Sequence, residues 1–160
     1  MLSFSGFEEV DDGLGEAGFH GSMEAVLWFV RCGADHWQWL AERAIMGEQM
    51  EVLEWIFGEP RPAIYFDPRQ ALRCAVHYDK YDFAIYLMGK VAVDRHILHV
   101  LVDEACMYGS LHAFKALLER GGMDREILEC GLSHLNGNPE DDQIRNLIME
   151  TLSEQFSGDA

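Results

Sequence analysis

The stretch VDEACMYGSLHAFKALLERGG, residues 102–122, decides the fold class. Val102, Ala105 and Cys106 are spaced as one face of a helix, and Tyr108-Gly109-Ser110 interrupts that face with turn residues. From Leu111 the apolar positions restart as Leu111, Phe114, Leu117 and Leu118, at i, i+3, i+6 and i+7, which marks a second helix with one buried stripe. Gly121-Gly122 then ends it, a glycine pair able to supply the left-handed residue that closes a helix. The segment therefore reads as helix, tight turn, helix and break.

The same grammar recurs on both sides. Leu14 and Ala17 precede Gly21-Ser22 and the run from Met23 to Val30, closed by Gly33-Ala34-Asp35. Leu40 and Ala44 precede Gly47 and the run from Met50 to Phe57, with Gly58 and Pro60 as breakers. Leu72 to Val76 leads to Tyr81, Ala84, Leu87 and Met88, ending near Gly89. A degenerate fifth copy runs from Ile127-Leu128 through Leu132, breaks at Gly137-Asn138-Pro139, and finishes with Ile144, Leu147, Ile148 and Leu152. The anchors Met23, Met50, Tyr81, Leu111 and Ile144 lie 27 to 33 residues apart, the period of a helical repeat. Small residues in the first helices (Ala17, Ala44, Ala75, Ala105) let the two helices of a unit approach closely. The expectation is an all-α helical-hairpin solenoid of four to five repeats over residues 13–152. Residues 1–12 read as a lead-in and 153–160 as a tail.

Composition sets limits on function. At 49% apolar residues the 160-residue chain is too apolar to stay disordered. The longest apolar stretch, Ala25 to Val30, is far short of a membrane span, and the N-terminus lacks a secretory signal pattern, so a cytoplasmic protein is expected. Cys32, Cys74, Cys106 and Cys130 are widely spaced, without CxxC, which predicts buried thiols and neither disulfides nor zinc. The net charge of −16 argues against direct nucleic-acid binding and against docking on an anionic membrane. It favours a basic protein partner, steered and held partly by charge. The polar last helical stretch, from about Gln143, predicts a monomer when alone.

The hairpin units resemble ankyrin repeats. Val102 stands at the family's Leu position, Ala105-Cys106 at its paired alanines, Gly109-Ser110-Leu111 at its Gly-His-Leu, and Leu117-Leu118 at the end of its second helix. Glu16-Ala17 through Gly33-Ala34-Asp35 matches equally well. The departures are specific. No unit keeps the family's Thr-Pro-Leu-His opening, Asp79 replaces a turn Gly, and an extra residue stands between Gly47 and Met50. The resemblance implies protein binding through a concave face lined by first helices and inter-repeat fingers.

On that reading the partner-binding residues are Asp35, His36, Trp37, Trp39, Glu42, Asp67, Arg69, Arg73, Asp103 and Glu104. Trp37 and Trp39 are the candidate hot spots, expected to divide between binding and core packing. Most of the others are acidic, which suits a basic partner. No catalytic constellation and no cofactor or metal is expected. His96 and His99 with Asp103 form the best acid–base or metal candidate, but without HExxH or a nucleophile motif. Cys106 and His112 fall on different helices. The letters of GxGxxG from Gly13 to Gly18 follow an acidic segment and no strand. The expected function is thus a non-enzymatic, acidic inhibitor of the immunity-protein or anti-defence type, blocking a basic protein or nucleic-acid-acting enzyme. A generic scaffold, and a metal-dependent enzyme or sensor around His96, His99 and Asp103, are the alternatives.

Overall fold

The computed structural model describes residues 5–58 and 66–158, and Pro60 lies outside them. Within those residues the chain is all-helical, without strands. Ten helices follow in order: α1 (Ser5–His20), α2 (Met23–Arg31), α3 (Trp37–Met46), α4 (Met50–Gly58), α5 (Pro68–His77), α6 (Tyr81–Met88), α7 (Arg95–Tyr108), α8 (Leu111–Arg120), α9 (Arg125–Ser133) and α10 (Asp141–Phe156). Residues 5–12, read as part of a lead-in, are the first turns of α1, and α10 extends into the segment read as a tail. Among the described residues no helix is long and apolar enough to cross a membrane.

The chain divides into two compact units, residues 1–74 and 75–160, with the division inside α5. In the first unit α1 packs on α2 and on α3, and α3 packs on α4. Leu14, Val26, Leu40, Ala44, Ile45, Leu53 and Ile56 fill the space between them. In the second unit α7 packs on α8 and α9, α6 packs on α8, and α10 packs on α8 and α9. Its core holds Leu87, Leu101, Val102, Phe114, Leu117, Ile127 and Ile148. First helices thus meet first helices in both units, and second helices meet second helices in the second unit. The four small residues Ala17, Ala44, Ala75 and Ala105 are all buried, as close packing requires.

Turn chemistry corrects one reading. A residue with positive φ stands two before α2, α4, α6 and α8: Gly21 (70°), Glu48 (59°), Asp79 (57°) and Gly109 (66°). Gly47 is not the left-handed residue, since its φ is −85°. No residue is inserted in the second unit; the turn simply places Glu48 where others place Gly. Gly47 has a separate reason to lack a side chain. A Cβ there would fall 2.0 Å from the carbonyl oxygen of Phe19, so the ends of α1 and α3 can meet only at a glycine.

The finger aspartates also have local work. Asp94 and Asp124 are N-caps, accepting from the amides of Ile97 at 2.8 Å and Ile127 at 2.9 Å. Asp67 accepts from the amide of Arg69 at 2.9 Å, just before Pro68 opens α5. In the absence of a Thr-Pro-Leu-His opening, these aspartates satisfy the first amides of α5, α7 and α9. Asp79 caps at a distance. Its Oδ1 accepts from the amide of Ala113 at 2.8 Å and its Oδ2 lies 2.7 Å from Nδ1 of His112, whereas the N-cap residue of α8, Ser110, makes no side-chain cap bond.

Candidate partner surfaces and a histidine–carboxylate–thiol cluster

The residues expected to bind a partner separate into several environments. Trp37 is only 6% exposed and packs on Trp55, ring centroids 6.0 Å apart. It is a core residue, which corrects its assignment to the partner surface. Its position as the first residue of α3 turns the indole inward beside α4. Trp39 is half-buried and lies on α1, where a Cβ at Gly15 would stand 2.2 Å from its indole nitrogen. Its ring also carries the guanidinium of Arg43 at 5.5 Å, and that group lies 4.5 Å from the ring of Phe19 and pairs with Glu16. Glu42 is half-buried and accepts from Gln38 at 3.0 Å. Asp35, His36, Asp67, Arg69 and Arg73 are exposed.

Two exposed aromatic sites lie outside the set of residues expected to bind a partner. In the first unit Trp28 is 55% exposed on α2, edge-on to Phe29. It lines a shallow groove of about 300 Å³ with Ser22, Glu24, Ala25 and Arg31. In the second unit Tyr78 (43% exposed) and Tyr108 (49%) flank His77. The His77 ring lies 4.8 Å from that of Tyr78 and 4.2 Å from that of Tyr108, and its Nδ1 is 3.8 Å from Glu104. Tyr78 and Tyr108 occupy the same place in successive hairpins, next to the left-handed turn residue. That register, a Tyr before the turn in two copies, was the available signal.

Asp103 belongs to a different group. On α7, His99 and Asp103 are four residues apart and share a face. On α9 and its C-cap, Cys130 and His134 have the same spacing. Because α7 packs on α9, the two faces meet. His99 Nε2 lies 3.4 Å from Asp103 Oδ2, His134 Nδ1 lies 3.0 Å from Asp103 Oδ1, and Cys130 Sγ lies 3.9 Å from the same His134 nitrogen. All four side chains are half-buried. His96 is exposed at the start of α7, and the donors close enough to His99 and Asp103 to share a cation with them include Cys130 in place of His96. The triad of His96, His99 and Asp103 is corrected accordingly. Cys130 and His134 were missed because they fall in the degenerate fifth hairpin; the signal was two i,i+4 pairs one repeat apart.

This cluster does not have the geometry of a nucleophilic relay. One nitrogen of His134 faces both the thiol and the carboxylate, whereas a relay needs one on each ring nitrogen. The Cys130 thiol is also pushed up, by burial and by the Asp103 carboxylate, which is the wrong direction for a thiolate nucleophile. Cys106 is buried and burial pushes it up to about 12. The prediction of buried thiols holds fully for Cys106 alone, since Cys74 and Cys130 are half-buried and Cys32 is exposed.

Comparison with protein-family models finds no family that matches this chain, and neither the curated proteins nor the solved structures contain a match.

Proposed function

We propose that this chain is a non-enzymatic protein-binding module, an ankyrin-like helical-hairpin solenoid that blocks a basic target. The target class that fits is a toxin or defence enzyme acting on nucleic acid, whose basic cleft an acidic protein can occupy. The observation that carries this reading is the exposed aromatic patch of Tyr78 and Tyr108 around His77, beside Glu104, in a chain of net charge −16. Exposed tyrosines at the same place in successive hairpins offer large, rigid contact area, the kind that dominates interface energetics.

The charge balance supports the same reading. Several of the few cations are engaged internally: Arg43 with Glu16, Arg95 with Asp124 and Glu126, Arg145 with Asp142, and Arg120 with the carbonyl oxygen of Val93. The excess of carboxylates is therefore unmatched within the chain, and a basic partner supplies the missing charge.

The test is capture of partners from native lysate by tagged wild-type protein and by Tyr78→Ala and Tyr108→Ala variants, washed at low and high salt. The reading expects one basic protein, released by salt and lost with either tyrosine. A partner of acidic character, or one held equally by the variants and unaffected by salt, refutes it.

A further inference from the structure

We propose that His99, Asp103, Cys130 and His134 form a zinc site that ties α7 to α9. The argument begins with register. His99 and Cys130 are 31 residues apart, as are Asp103 and His134, whereas the N-caps of α7 and α9 are 30 apart, so the i,i+4 pair of α7 recurs on α9 shifted by one residue. Each pair is spaced i,i+4, which puts both donors of a pair on one helix face. The contact between α7 and α9 then closes the two pairs into one cluster.

The distances approach those around a tetrahedral ion. Zinc bonds of about 2.0–2.3 Å place neighbouring ligand atoms about 3.3–3.8 Å apart. Here His99 Nε2 is 3.4 Å from Asp103 Oδ2, within that range, while His134 Nδ1 is 3.0 Å from Asp103 Oδ1 and 3.9 Å from Cys130 Sγ, just outside it on either side. One donor atom each from His99, Asp103 and Cys130 lies within 4.8 Å of the others. His134 Nδ1 lies against Asp103 and Cys130 but outside that group, so binding must turn its ring toward His99 to complete the four ligands.

A second observation points the same way. Nε2 of His99 is buried and makes no hydrogen bond among the described residues, although it lies 3.4 Å from Asp103 Oδ2. A buried polar atom without a hydrogen bond is costly, and a cation between these two groups would use its lone pair. The donor set selects the metal class. Two imidazoles, one thiolate and one carboxylate suit zinc, whereas calcium and magnesium require oxygen ligands. On binding, the Cys130 thiol gives up its proton to solvent and the sulfur becomes a thiolate ligand. The net charge of −16 favours cation uptake.

The experiment uses the full chain, stripped with chelator and titrated with Zn²⁺ against a chromophoric competitor, then with Co²⁺ followed by absorption. One Zn²⁺ per chain is expected, with Co²⁺ giving intense tetrahedral d–d bands and a sulfur-to-cobalt charge-transfer band. Cys130→Ser should abolish the charge-transfer band, and His99→Ala should weaken Zn²⁺ binding at least tenfold. His96→Ala and Cys32→Ser, both at exposed positions, should change neither. Zn²⁺ should raise the thermal midpoint of the wild type and not that of His99→Ala. Equal Zn²⁺ affinity in wild type and His99→Ala, or an octahedral Co²⁺ spectrum without charge transfer in the wild type, overturns the proposal. The wild-type spectrum decides thiolate ligation even if a variant fails to fold.

Discussion

Replacement of Asp79 tests whether a residue with positive φ can be selected for what its side chain does to the next hairpin. Asp79 has φ of 57°, accepts from the amide of Ala113 at 2.8 Å, and lies 2.7 Å from His112. Asp79→Ala removes a helix cap, worth about 1 kcal/mol. It also removes a largely exposed pair with His112, worth at most about 1 kcal/mol. It places in the left-handed region a residue that tolerates it less well than Asp, adding about 1 kcal/mol. The sum is about 2–3 kcal/mol, or a drop in melting temperature of roughly 4–12 °C for a chain of this size. Asp79→Gly loses the same bonds but relieves the backbone, so its cost falls to about 1 kcal/mol. Asp79→Asn keeps an acceptor for Ala113 and tolerates the conformation, so it costs least. Urea unfolding followed by circular dichroism gives the order Ala, Gly, Asn. Hydrogen exchange at the Ala113 amide gives the local readout, with protection lost in the Ala and Gly variants and kept in Asn. Equal destabilisation by Ala and Gly, or unchanged Ala113 protection in the Ala variant, refutes this account.

Two further outcomes follow from thiol and carboxylate environments. Cys32 is exposed and Cys106 is buried with its thiol at about 12, so a thiol reagent at neutral pH should label Cys32 at once and Cys106 only after unfolding; mass mapping of the labelled peptides checks this. Asp124 is held below its ordinary value of 3.8, first by the Ile127 amide and then by Arg95. Its folded-state pKa lies below its unfolded one, so its contribution is fully present above the ordinary value and is lost as pH falls through the folded value. The stability difference between wild type and Asp124→Asn, from urea midpoints across acid pH, should therefore shrink as pH drops below about 3.8.

Much of the helical layout was legible because periodicity reports it directly. Met23, Met50, Tyr81 and Leu111, chosen as anchors from apolar spacing, are the first residues of α2, α4, α6 and α8. The turns were harder. Glycine advertises positive φ at Gly21 and Gly109, but Glu48 and Asp79 adopt it without that signal. Gly47 drew attention as a turn residue although its role is to let α1 and α3 touch. The surface was less legible still. A Trp beside charged neighbours looks exposed in a sequence, yet Trp37 points into α4, whereas Trp28, inside an apolar run, faces solvent. The cluster around Asp103 was half visible: His99 and Asp103 are close in sequence, but their partners come from the next hairpin, whose weak pattern hid the matching spacing.

The polar bonds between hairpins have a characteristic reach. Asp79 to Ala113 spans 34 residues, Ser110 to the carbonyl of His77 spans 33, Asp103 to His134 spans 31, Asn138 to the carbonyl of Met107 spans 31, and Arg43 to Glu16 spans 27. Each closes a loop of about one hairpin, so the entropy lost in forming it is nearly the same at every step. Contacts of this reach favour rapid assembly, with each formed hairpin templating its neighbour. Damage should be equally parochial: a substitution at one turn loosens the adjoining helix pair and leaves hairpins further along the same unit almost as stable as before.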